Sequence, residues 1–68
     1  MKVNKELIVK KMQDKEISSL DMATAMNIAS STFNNKINNQ RKMTATELLI
    51  IADKLDIDPF DVILDWNE

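Results

Sequence analysis

Between residues 25 and 44 the chain reads AMNIASSTFNNKINNQRKMT, which holds five asparagines, with Ile28, Phe33 and Ile37 set among them at helical intervals. Each asparagine carboxamide offers donors and an acceptor side by side, and in that form can pair with the N6 and N7 edge of adenine. Serine hydroxyls, present at Ser30 and Ser31, donate or accept toward several bases. Directly after the apolar intervals come Asn39, Gln40, Arg41 and Lys42, a basic, amide-rich run suited to phosphate oxygens. A solvated helix surface would also be rich in asparagine, and for any single residue that bland reading weighs as much. The set argues more strongly than its members.

Other chemistries have little to work with. The chain has no cysteine and no histidine, which removes disulfides, thiolates and the usual structural zinc ligands. Catalysis would fall to carboxylates or lysines, and no carboxylate pair stands apart from residues that read as caps and solvated faces. Neither an enzyme nor a metal or other cofactor is expected. The longest apolar run, LLIIA at 48–52, is far short of the roughly 20 residues of a membrane span, and Met-Lys-Val-Asn-Lys lacks a signal-peptide core. A cytoplasmic protein without a membrane partner is the expectation.

A net charge of −2 argues at first against nucleic acid, because phosphate binding rests on Lys and Arg displacing counterions. The charge is divided unevenly. Up to residue 42 there are eight basic residues against four acidic ones; from residue 43 onward Lys54 faces seven acidic residues. One face toward an anion and another turned away would produce this split, although small domains also segregate charge by accident.

The elements that must position these groups can be read from caps, since the chain has no glycine and one proline. Sixty-eight residues make one domain, 1–68, small enough that helices are the economical way to bury a core. A first helix is predicted from about Asn4 to Met12, with Leu7, Ile8 and Met12 inward. Ser18 opens a second with Asp21 as its capping-box partner, and Leu20, Met22, Ala23 and Met26 form its apolar side. Asn27, which tolerates the left-handed conformation, ends it at a corner. A third helix runs from about Ser30 to Asn38 with Phe33 and Ile37 on one face. Thr44 and Glu47 box the start of a fourth, whose stripe is Leu48, Ile51, Ala52 and Leu55, and which stops at Asp56. Asp58-Pro59 launches a fifth with Phe60, Ile63 and Leu64 inward. The fold expected is all-α, a compact bundle of five helices without a strand. Its core would also take in Ile28, and Met12, Met22 and Met26 read as adaptable core rather than a groove.

Two short helices joined by a tight corner, the second polar on its outer face, make a helix-turn-helix. The stretch from Ile17 to Ile63 resembles the Cro and phage-repressor (Xre-like) helix-turn-helix family, especially small phage Cro-like proteins. Met22-Ala23 stands at that family's apolar-small pair, Asn27 at its glycine corner, Ile28 and Phe33 at inward positions, and LLIIADKLDIDPFDVI resembles its closing helices. Three departures are visible. Asn27 replaces glycine; Ala29 stands where a Ser or Thr cap is common, leaving capping to Ser30 or to nothing; and Lys36 stands where many members are apolar, with Ile37 taking the inward role.

The resemblance implies a lambda-repressor-like fold and a sequence-specific DNA-binding regulator, a phage or mobile-element repressor whose third helix enters the major groove. It places Ser30, Ser31 and Asn35 at base-contacting positions, with Asn34 and Asn38 beside them on the exposed face. Lys36, Asn39, Gln40, Arg41 and Lys42 would hold phosphates, and Ser19 would do so at the start of the second helix. Such domains act as dimers on paired half-sites. The apolar residues lying off the inward stripes are Ile50, Val62 and Trp66, and Val62 and Trp66 are the candidates for a weak homodimer interface. The rival expectation is an acidic module on the same fold that docks on the basic face of another repressor protein instead of on DNA.

Overall fold

The computed structural model describes residues 1–65, and the expected interface residue Trp66 lies outside them. In chain order the elements are β1 (Lys2–Val3), α1 (Lys5–Asp14), α2 (Ser19–Met26), α3 (Ser30–Ile37), α4 (Ala45–Leu55), α5 (Pro59–Val62) and β2 (Ile63–Asp65). Five helices are present as expected, but the fold is all-α only approximately, because β1 and β2 pair antiparallel with Val3 opposite Ile63.

Local chemistry accounts for the helix starts. Ser18 Oγ accepts the Asp21 N–H while the Asp21 carboxylate accepts the Ser18 N–H; Thr44 and Glu47 repeat the arrangement. Asn4 caps α1 by accepting the Leu7 N–H, and Asp58 caps α5 with Pro59 at its first position. Before each of these four caps stands an apolar residue, Val3, Ile17, Met43 and Ile57, and four residues into each helix stands another, Ile8, Met22, Leu48 and Val62. These are the positions of the hydrophobic staple. Val3, Ile8, Met43, Met22, Leu48 and Val62 are buried, and Ile17 and Ile57 pack against the core.

Helix ends follow one rule. With no glycine to use, the chain turns into the left-handed region at Glu16, Asn27, Asn39 and Asp56, with φ of 56°, 58°, 63° and 54°. In each case that residue's N–H and the next one reach back to the helix carbonyls three and five residues earlier, as in Ile28 N to Ala23 O at 2.9 Å and Gln40 N to Asn35 O at 2.9 Å. The double bond satisfies carbonyls that the helix leaves open.

The core centres on Phe33, Ile8, Met22, Ile51, Leu55, Val3 and Val62, all essentially inaccessible. Four of the expected core residues, Leu20, Ile28, Phe60 and Ile63, are instead surface groups or partial ones. Leu20 is 65% exposed and Phe60 71% exposed, while Ile63 is half-buried, and Leu64, also expected inward, is exposed. For Phe60, Ile63 and Leu64 the cause is the length of α5. After a single turn the backbone becomes extended at Ile63, so a helical stripe through Phe60, Ile63 and Leu64 never forms. Val62 at the staple position turns inward in their place. Its exposure is 0%, which removes it from any pairing surface. Ile50 and Ile28 pack partly buried against the core.

Candidate nucleic-acid interface

The corner between α2 and α3 is built around Asn27, whose left-handed backbone (φ 58°, ψ 44°) lets the chain reverse in three residues before α3 begins. Phe33 and Ile37, one turn apart, bury the inner side of α3. The opposite side then has to face outward. Ser31, Asn34 and Asn38 are exposed there, and Ser30 and Asn35 are half-buried. Ala29 occupies the cap position of α3 with no side-chain bond, so the N–H groups of its first turn are not taken up by a cap.

The polar groups of two helices converge. Ser19 Oγ donates to Asn34 Oδ1 at 3.3 Å, linking the start of α2 to the middle of α3. Ser18, Ser19, Asn34 and Asn38 line one side of an open groove whose other side is α1, with Lys5 and Gln13. At the same α2 terminus the Asp21 carboxylate is exposed, and its bonds from the Ser18 N–H and hydroxyl hold it below the ordinary aspartate range. A phosphate approaching Ser19 therefore meets an anion that already occupies part of the helix end, which weakens this expected grip.

Lys36 and Asn39, both expected on phosphates, have partners within the domain. Lys36 Nζ donates to Glu47 Oε1 at 2.8 Å and to the Lys42 carbonyl at 3.0 Å. Only 12% of its side chain is exposed. Asn39 accepts the Val3 N–H on Oδ1 at 3.0 Å and donates from Nδ2 to the Val3 carbonyl at 3.3 Å. Gln40, Arg41 and Lys42 are exposed on the loop between α3 and α4. Sequence reasoning missed the Lys36–Glu47 pair because Glu47 was already assigned to its capping box; the available signal was a lone lysine on the helix, next to the inward Ile37.

The arrangement is a helix with a polar, exposed outer face, followed by a loop that carries two cations. A family model for the Cro/C1-type helix-turn-helix DNA-binding domain matches residues 8–67. The chain belongs to that family. No curated protein and no solved structure matches it significantly. In a Cro/C1-type domain α2 and α3 are the helix-turn-helix pair, and the asparagine-rich face described above belongs to the second of them. Among the described residues no helix is long and apolar enough to cross a membrane, and no group of carboxylates is placed to hold a metal ion.

Proposed function

We propose that this Cro/C1-type domain, residues 1–68 acting as one unit, is a sequence-specific transcriptional regulator of the phage or mobile-element repressor kind. It lays α3 in the major groove and binds paired half-sites as a weak dimer. The observation that carries this reading is the outer face of α3, where Ser31, Asn34 and Asn38 are exposed together and no charged side chain stands among them. Base edges in the major groove are read by neutral donor and acceptor pairs of this type, while affinity comes from cations nearby. Arg41 and Lys42 supply those cations.

The dimer needs a surface other than Val62. Leu49, 57% exposed, and Phe60 flank an apolar groove of about 330 Å³ completed by Met1, Ala45, Leu48, Pro59 and Ile63. That groove is our candidate for self-pairing.

A mobility shift with the DNA flanking its own gene, repeated across salt, tests the reading. Binding that survives competitor DNA and weakens steeply with salt is expected. Binding with no sequence preference and no salt slope would reject it. The second reading, a module that docks on another repressor, draws on one observation: Glu47 neutralises Lys36, which leaves the interface poor in cations. A partner repressor that binds this domain through its own basic face, with no DNA bound by the domain itself, is the result that would favour it.

A further inference from the structure

We propose that Lys36 is a positioning residue for the DNA-binding loop and not a phosphate contact: with Glu47 it clamps residues 39–44 so that Arg41 and Lys42 are held ready for the backbone. The inference rests on the DNA-binding reading above.

The loop is fixed at three points. At its start Asn39 is bonded through its side chain to both backbone groups of Val3. Toward its end Met43 is buried at 5% exposure, so the loop cannot lift without pulling an apolar side chain out of the core. Beside it the Lys36 ammonium reaches across from α3 and donates to the carbonyl of Lys42 and the carboxylate of Glu47. The same Glu47 oxygen also accepts the Thr44 N–H at 2.9 Å. One ammonium and one carboxylate thus join the recognition helix, the loop and α4.

An apolar residue at position 36 would fill the space between the helices, yet could not hold the Lys42 carbonyl. A lysine free in solvent could touch phosphate, yet this one is almost wholly covered. Its charge is also cancelled at close range. What it can do is remove freedom from the loop before DNA arrives, so that ordering costs less at binding.

Contact and positioning differ in what salt does. A cation that touches phosphate adds about 0.9 to the slope of log affinity against log salt, whereas a cation that only orders the loop adds nothing to it. The test uses a short duplex of mixed sequence as the probe and the double variant Lys36→Met/Glu47→Gln, which removes the clamp without changing net charge. Affinity at fixed salt is expected to fall roughly tenfold, with the slope unchanged. Arg41→Ala is expected to lower the slope by about one unit. In the free protein, backbone order parameters at residues 40–42 are expected to drop in the double variant while those of α4 stay rigid.

A slope lowered by about one in the double variant overturns the proposal and makes Lys36 a contact. Unchanged affinity and unchanged loop order also overturn it. Should the double variant melt too readily, Lys36→Arg is the second variant: it keeps the ion pair, and an affinity near wild type supports the clamp, whereas a full tenfold loss with ordered loop overturns it. If the wild type shows no salt-dependent binding to the duplex, the DNA-binding reading fails, and the clamp has no DNA role to serve.

Discussion

The side chain of Asn39 pairs with the backbone of Val3 as a neighbouring strand would, taking its N–H at 3.0 Å and giving to its carbonyl at 3.3 Å. Val3 sits on β1, whose other edge is held by β2, so one carboxamide ties both ends of the described chain to the residue that ends α3. Asn39 also has to hold φ at 63°. Asparagine suits both duties, because it enters the left-handed region more readily than other residues with a Cβ and carries a donor and an acceptor.

Asn39→Ala is therefore expected to cost about 2–3 kcal/mol, from two partly buried hydrogen bonds and a left-handed backbone without asparagine's tolerance. Asn39→Gly relieves the backbone but still loses both bonds, and a smaller loss of about 1 kcal/mol is expected. Urea unfolding of the two variants checks the order; an alanine variant no worse than the glycine one contradicts the backbone half of the argument.

Glu16 is in the same left-handed region without asparagine's excuse. Its side chain is exposed, and the closing bonds of α1 are made by backbone groups alone, Glu16 N to Gln13 O and Ile17 N to Met12 O. Glu16→Gly should then keep every bond and shed the Cβ clash, offset in part by the greater freedom of glycine in the unfolded chain. A gain of about 0.5–1 kcal/mol, visible as a higher melting temperature, is the expected outcome. A loss would place a stabilising contact on the glutamate side chain.

Acid should weaken the fold through Glu47. Burial pushes its carboxyl upward, but the bond from Lys36, the N–H of Thr44 and the Lys36 charge outweigh burial and hold it below the ordinary glutamate value of 4.5. Above that value the residue is ionised both folded and unfolded, and its contribution is complete. As pH falls, the unfolded chain takes the proton first, and the contribution is gone once pH passes the lowered folded value. Asp21, held below 3.8 by Ser18, acts in the same direction further into acid. Glu47→Gln is expected to flatten stability against pH from about pH 5 downward, read as urea midpoints. A variant with the same acid slope as wild type would show that Glu47 does not carry it.

Such features differ in how far the amino-acid order reveals them. The Ser18–Asp21 and Thr44–Glu47 boxes and the turns at Asn27 and Asp56 are legible because each is closed within a few residues. So is the buried pair Phe33 and Ile37, one turn apart on a regular helix. Val3 is not legible: a two-residue strand has no periodicity, and its partners Asn39 and Ile63 lie far along the chain. Val62 and Phe60 exchange places because periodicity presumes a helix longer than the single turn of α5. The staple spacing Ile57 to Val62 was the local clue. At the interface, the neutral face of α3 could be read directly, whereas Lys36 and Asn39 looked available because their partners are distant side chains and backbone groups.

Direct reading of bases predicts a loss confined to the right sequence. Asn35 is half-buried on α3, and its carboxamide makes no hydrogen bond among the described residues, so truncating it removes little from the fold. Asn35→Ala is expected to lower affinity for the true operator by about 1–3 kcal/mol and to leave binding to random duplex nearly unchanged. Equal losses on both, measured by titration at one salt concentration, would make Asn35 a backbone or folding residue instead.

Self-association offers a separation between two residues that stand two positions apart in sequence. Phe60 is exposed beside Leu49, and Val62 is sealed in the core. If the groove they flank pairs two copies, Phe60→Ser removes a large aromatic contact and should weaken the dimer by about tenfold or more, with the melting temperature of the monomer little changed. Val62→Ala should do the reverse, lowering stability by about 1–3 kcal/mol through a core cavity and leaving the monomer that does fold able to pair. Carboxylates surround the approach: Asp53, Asp56 and Asp58 line the neighbouring groove, which shares Leu49 and Pro59 with the apolar one. Two copies brought together there repel, so added salt is expected to tighten the dimer while it loosens DNA. Sedimentation of wild type, Phe60→Ser and Val62→Ala across salt reads all three effects. A Phe60→Ser protein that pairs as well as wild type moves the interface elsewhere, and a dimer loosened by salt removes the repulsion argument.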